Sequence, residues 1–129
     1  MSESNIVDSL GWIEYFADGS NADFFEPAIE NHGSLIVPSI SIYEVFKRLL
    51  AEPDGEQKGL RVVAMMQRGR VVELGAELAL EAAKVSRENK IPMADSIILA
   101  TAREHGAILW TQDSDFEGIE GVRYIEKKI

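Results

Sequence analysis

Five carboxylates stand where the chain changes direction: Asp8, Glu44, Asp95, Asp113 and Asp115. Asp8 follows the apolar pair Ile6-Val7. Glu44 lies in the first turn or so of a helical stretch beyond Pro38. Asp95 opens another, after Pro92. Asp113 and Asp115 sit in Thr111-Gln112-Asp113-Ser114-Asp115-Phe116, behind the apolar run Ala107–Trp110. Carboxylates gathered within a few ångströms repel and raise one another's pKa. A hard divalent cation removes that penalty, and Mg²⁺ or Mn²⁺ favours such oxygen donors. The chain has no cysteine and only His32 and His105, so thiolate or histidine-rich zinc sites, disulfides and cysteine nucleophiles are excluded. An acid-only cation site is best suited to phosphoryl transfer or phosphodiester hydrolysis. The cation lowers the pKa of water, neutralises non-bridging oxygens and supports the leaving oxygen.

Each acid also has a local explanation, which is the better one when it is considered alone. Asp8 or Ser9 can cap a helix N-terminus. Ser41-x-x-Glu44 reads as a capping box, with Glu44 reaching back to a backbone N–H. Asp95 gains from its helix dipole. Asp113-Ser114-Asp115 can form an Asx turn opening a short last helix. Five such acids aimed at one place weigh differently, so the elements that would aim them matter.

Strand candidates are short and β-branched: 4–7, 35–37, 70–74, 107–110 and 122–125. Several are near-continuous apolar runs, which suits strands covered on both faces. Helical patterns lie between them at 9–16, 22–30, 41–50, 59–67, 76–88 and 93–105, with a turn at Glu52-Pro53-Asp54-Gly55. Strands alternating with helices predict an α/β fold with a mostly parallel sheet. Ligands of such sheets bind outside the carboxyl ends of the strands. Every one of the five acids falls at a strand exit or a helix entry.

The chain has 129 residues, enough for one core-forming domain spanning 1–129. Apolar residues make up 46% and charged residues 27%, which excludes disordered and fibrous classes. No apolar run approaches membrane-helix length. The first residues carry neither a basic segment nor a signal-length apolar stretch, so a cytoplasmic location is expected. The formal charge of −9 is uneven. Residues 1–46 hold eight acids and no Lys or Arg, whereas Lys47, Arg48, Lys58, Arg61, Arg68 and Arg70 follow closely. Bulk charge disfavours polyanion binding, leaving a local route through these bases or through bound metal.

The ordered set of motifs resembles the PIN domain family. The motifs are Ile6-Val7-Asp8-Ser9, Ser41-x-x-Glu44, Pro92-Met93-Ala94-Asp95-Ser96-x-x-x-Ala100 and Leu109-x-Thr111-x-Asp113-x-Asp115-Phe116. The short chain is similar to VapC-type toxins of bacterial and archaeal toxin–antitoxin pairs. The resemblance implies a roughly five-stranded parallel sheet sandwiched between helices, and a Mg²⁺- or Mn²⁺-dependent endoribonuclease. It also implies a cognate antitoxin and a homodimer. Carried over by residue, Asp8, Glu44, Asp95 and Asp113 match the four catalytic acids, Asp115 an additional one, and Ser9 and Thr111 supporting hydroxyls. The first motif departs from the frequent pattern in running Asp8-Ser9-Leu10-Gly11-Trp12. On this reading Asp8, Asp95 and Asp113 hold the metal, with Asp115 a weaker ligand. Glu44 orients or deprotonates the attacking water, or ligates a second ion. Cleavage is hydrolytic and leaves a 5′-phosphate.

Lys47 and Arg48, one turn beyond Glu44, are candidates for steering RNA phosphate. A solvated helix face is an equally ordinary reading. Trp12, Tyr15, Phe16, Phe24 and Phe25 are mostly core. Their excess on two helices also suits a protein interface, in this family the antitoxin groove. Met65 and Met66 read as core or dimer packing, Trp110 as core, and His32 and His105 as loop or helix-end residues. Two other classes compete. A non-catalytic PIN-like module binding RNA or protein is disfavoured because every acid is present. A receiver-type phosphorelay domain needs an Asp after the middle strand, where Gly75-Ala76 stands. The phosphate-cradling G-x-x-x-x-G-K-[ST] and the dinucleotide G-x-G-x-x-G are both missing.

Overall fold

Five short strands form: β1 (Asn5–Val7), β2 (Ile36–Pro38), β3 (Arg70–Val72), β4 (Ile108–Thr111) and β5 (Val122–Tyr124). They belong to a computed structural model that describes residues 3–128. Met1 and Ser2, part of the N-terminal stretch read above, and Ile129 lie outside the described residues. Every ladder is parallel, as expected for a βαβ chain. β1, β4 and β5 form one ladder, β2 and β3 another. A parallel bridge from Asn5 to Leu35 joins the two. The five strands thus follow the order β3-β2-β1-β4-β5, with the hydrogen bonding thinned to that bridge between β1 and β2.

Two helices fill each of the first three crossovers. These are α1 (Ser9–Phe16) and α2 (Ala22–Glu30), α3 (Ser39–Leu49) and α4 (Gly55–Met66), and α5 (Ala76–Asn89) and α6 (Met93–Glu104). The period-two alternation of the strands assigns a core to each face. Ile6, Ile36 and Leu109 pack with Leu78, Val85 and Ile98 of α5 and α6. Val7, Val37 and Trp110 pack with Trp12, Phe25, Val45 and Met66 of α1 to α4. The sheet is therefore sandwiched between helices. In α6, every residue from Ser96 to Ala102 is buried. Among the described residues no helix is long and apolar enough to cross a membrane.

Two helix starts differ from the sequence expectation. α3 begins at Ser39 behind Pro38, so Ser41 lies inside the helix and makes no cap. Its Oγ is fully buried without a hydrogen-bond partner among the described residues. The capping-box reading of Ser41 and Glu44 is therefore incorrect. α4 begins at Gly55, earlier than residue 59, after Asp54 in the left-handed region. Gly55 and Gly59 look like helix breakers but are packing sites. A Cβ on Gly55 would lie 2.0 Å from the Leu49 carbonyl oxygen, and one on Gly59 would lie 2.7 Å from the Phe46 ring.

Gly11 is constrained in the same way at the start of α1. A Cβ there would meet Val7 Cγ1 at 2.6 Å, the Phe25 ring at 2.7 Å and Asp8 Oδ1 at 3.0 Å. Val7 and Phe25 are fully buried and have little room to yield. Gly11→Ala is expected to destabilise the fold by about 1–3 kcal/mol in urea unfolding, the usual range for overpacking. Gly33→Ala, at an exposed position where a Cβ meets open space, is the control and should stay within about 0.5 kcal/mol of the parent.

Candidate active site

The register of β1 on β4 sets the floor of the site. Val7 pairs with Trp110, and the Asp8 N–H continues the ladder to the Trp110 carbonyl at 3.2 Å. Asp8 therefore emerges beside Thr111, at the point where the strand order reverses. Thr111 Oγ1 donates to Asp8 Oδ2 at 2.5 Å and accepts from the Asp113 N–H at 2.9 Å. Asp8 is also the N-cap of α1, its Oδ1 accepting from the Gly11 N–H at 2.8 Å. Only 3% of Asp8 is exposed. Burial pushes its carboxyl up to about 7, against the pull of the Thr111 and Gly11 hydrogen bonds, and the charges of Asp113 and Glu44 add to the rise.

The other acids arrive from three directions. Glu44, in the second turn of α3, accepts from Ser9 Oγ at 2.5 Å across the gap to α1. Asp95 lies in the first turn of α6, with Pro92 as N-cap. Burial pushes it up to about 7 as well, followed by repulsion from Asp113, Asp8, Glu44 and Asp115. Asp113 Oδ1 accepts from the Asp115 N–H at 2.9 Å, forming the expected Asx turn into a 3-10 turn over Ser114–Phe116.

All five acids line one cleft of about 580 Å³, together with Ser9, Lys47 and Arg48. One carboxylate oxygen from each of Asp95, Asp113 and Asp115 lies within 4.8 Å of the other two. Asp115, weighed as the lesser ligand from sequence, belongs to this tight group. Asp8 lies deeper, with each oxygen already accepting one hydrogen bond. A carboxylate oxygen has a second lone pair, so Asp8 keeps the capacity to ligate. An oxygen-only donor set with two carboxyls raised towards neutrality fits a hard divalent cation.

A buried polar group beside the site escaped the sequence reading. Gln112, between Thr111 and Asp113, is 5% exposed, and Asn21 is 2% exposed. Asn21 Nδ2 donates to Gln112 Oε1 at 2.9 Å and to the Glu126 carbonyl at 3.1 Å. Glu14 accepts from the Asn21 N–H at 2.8 Å and from Gln112 Nε2 at 3.3 Å. The network ties the exit of β4 to α1 and to the loop before α2. Gln112 lies 91 residues from Asn21 and 98 from Glu14, so no local pattern announces it.

Fold and site together define a parallel α/β protein with an acid-lined cleft at the switch point of its sheet. The PIN domain model matches residues 6–122, and the chain belongs to the PIN domain family. No curated relative matches the chain. Among solved structures it is similar to a toxin–antitoxin complex from Klebsiella pneumoniae, with TM-score 0.79 and 24% identity over 93% of this chain and 96% of that one. It is also similar to VapC20 from Mycobacterium tuberculosis, a toxin cleaving the sarcin–ricin loop. There the TM-score is 0.73 and the identity 17%, over 91% of this chain and 95% of that one. DNA-bound VapBC from Salmonella typhimurium gives TM-score 0.71 and 17% identity over 97% and 98%. At these identities the likeness is one of fold.

The raised carboxyls make metal-free stability depend on pH. Folded Asp8 and Asp95 titrate at about 7, against an ordinary value of 3.8. Between those values the folded chain holds protons that the unfolded chain has released. The stabilisation they give is present at the acid end of this window and is lost as pH rises through 7. The metal-free protein is expected to melt several degrees lower at about pH 8 than at about pH 5, with Asp95→Asn removing part of the difference. A melting temperature that is level or higher at the alkaline end, read by calorimetry in EDTA, would contradict the assignment.

Proposed function

We propose that this chain is a Mg²⁺- or Mn²⁺-dependent endoribonuclease, the toxin member of a toxin–antitoxin pair. It acts in the cytoplasm as one domain over residues 1–129 and pairs as a homodimer. The observation that carries the reading is the convergence of Asp8, Glu44, Asp95, Asp113 and Asp115 on one cleft, with two carboxyls held far above their ordinary range.

Asp95, Asp113 and Asp115 hold the cation, with Asp8 beneath them. Bound there, Mg²⁺ or Mn²⁺ supplies neutralisation of the non-bridging phosphate oxygens and lowers the pKa of water. Glu44, oriented by Ser9, positions the attacking water and takes its proton. Thr111 holds Asp8 on one side and the Asp113 backbone on the other. Lys47 and Arg48 draw the RNA phosphate towards the acids. Water attacks phosphorus and the bond to the 3′ oxygen breaks, leaving a 3′-hydroxyl and a 5′-phosphate. The leaving oxygen takes its proton from solvent.

A second cleft of about 480 Å³ supports an antitoxin partner. Ile13, Phe16, Leu49, Val62 and Met65 line it between α1, α3 and α4, with Glu52, Lys58 and Arg61 alongside. Its apolar floor suits an amphipathic helix. Ile13 lines both clefts, so the apolar cleft adjoins the acids. The homodimer rests on membership of the PIN domain family alone.

Single-stranded RNA should be cut in Mn²⁺ or Mg²⁺ and spared in EDTA. Asp8→Asn, Asp95→Asn and Asp113→Asn are each expected to lower the rate by about a hundredfold or more, at or beyond the upper end of what changes to residues bonded to a metal's ligands cost. Gel assays of the purified proteins check this. Equal cutting by parent and variants would assign the cleavage to a contaminant and leave a binding module.

A further inference from the structure

Tyr43 stands out among the aromatic side chains. Of the ten in the chain, it is the one classed as exposed, at 58%. It lies on the wall of the acid-lined cleft, immediately before Glu44 on α3. Glu44 is drawn towards α1 by Ser9, whereas the ring remains open to solvent. Lys47, four residues on and hence on the same helix face, places Nζ over the ring, 5.7 Å from its centre. Arg48 lines the same cleft. Among the described residues neither Lys47 nor Arg48 makes an ion pair. The cleft therefore has two differently equipped parts: a group of carboxylates, and a largely exposed aromatic ring with Lys47 over one face and two cations outside any ion pair.

Each part suits a different piece of one ligand. The cations suit a phosphodiester oxygen, and the ring suits the flat face of a nucleobase, whatever its identity. A base within a duplex is already stacked on its neighbours and cannot lie on a side chain. An unpaired base can. We propose that Tyr43, flanked by Lys47 and Arg48, is the stacking platform for an unpaired nucleobase of single-stranded RNA next to the scissile phosphate. The inference rests on the nuclease reading for what happens at that phosphate. It makes the site selective for unpaired RNA and tolerant of base identity at the stacked position.

The test compares the parent, Tyr43→Phe and Tyr43→Ala on a single-stranded RNA and on a set in which one nucleotide at a time is abasic. Tyr43→Ala is expected to raise KM about tenfold, the scale of losing one base stack, while Tyr43→Phe stays within about twofold because the ring is kept. One abasic position should weaken the parent to the same extent and add nothing further to Tyr43→Ala. Thermal melting confirms that the variants fold. Direct binding of labelled RNA, read by fluorescence anisotropy in Ca²⁺, separates this proposal from the nuclease reading. Cleavage with unchanged KM and Kd in Tyr43→Ala overturns the platform and leaves the nuclease standing. Binding that depends on Tyr43 without cleavage in Mg²⁺ or Mn²⁺ does the reverse. Absence of both binding and cleavage in the parent overturns both. Abasic losses that multiply with Tyr43→Ala at every position overturn the stacking contact itself.

Discussion

Holding carboxylates in a partly buried cleft at the carboxyl edge of the sheet is the constraint around which the site is built: burial raises Asp8 and Asp95 most, and mutual repulsion adds to the rise. In a partly dry cleft, like charges interact far more strongly than in water. Asp8 shows how the balance falls. Its two hydrogen bonds, from Gly11 and Thr111, favour the ionised form, yet burial outweighs them. Asp95 has the positive end of α6 beside it and is still raised. A sequence selected for stability alone would not gather these side chains. The arrangement becomes favourable when positive charge occupies the cleft, which links a destabilising feature of the fold to its proposed chemistry.

Topology is what makes the gathering possible. Asp8, Glu44, Asp95 and Asp113 are spread over most of the chain, yet each lies at the exit of a strand or within the first two turns of a helix. In a parallel sheet all strand exits point the same way. β1 and β4 are neighbours although a hundred or so residues separate them, and their register sets Asp8 against Thr111. The two core faces follow from the same strands. Ile6 and Val7 point to opposite layers, and the residue after them must leave the sheet into the crevice.

Much of this could be read from sequence, and the reasons are local. α1 and α2 start and end where their apolar spacing placed them. Asp8 caps α1, and Asp113 forms its Asx turn, because short-range hydrogen bonds depend on near neighbours. The misreadings are equally physical. Ser41 and Glu44 have capping-box spacing, but Pro38 starts the helix earlier, and Glu44 finds Ser9, 35 residues away. Gly55, expected in a turn, and Gly59, expected to open the helix, both lie within α4, packed close against Leu49 and Phe46. The family resemblance, rather than spacing, places Asp115 as the lesser ligand, yet its carboxylate lies within 4.8 Å of those of Asp95 and Asp113. The 3-10 turn after Asp113 swings Asp115 back towards Asp95, and no strand or helix period foretells that.

The Gln112 network answers a problem that the acid cluster creates. Asp113 and Asp115 stand on the segment between β4 and β5, and repulsion from Asp95 and Asp8 would tend to push that segment outward. Backbone turns alone resist such a force poorly. Here the residue between Thr111 and Asp113 is inserted into the protein rather than left at its surface. Gln112 is held by Asn21 and Glu14, and Asn21 in turn grips the Glu126 carbonyl. Each of these side chains bonds to at least one other, so opening the segment would break several linked buried hydrogen bonds at once. The mount also fixes Thr111, whose hydroxyl joins Asp8 to the Asp113 backbone. Hydrogen bonds from Asn21 and Glu14 thereby brace, through Gln112, the segment that carries Asp113 and Asp115.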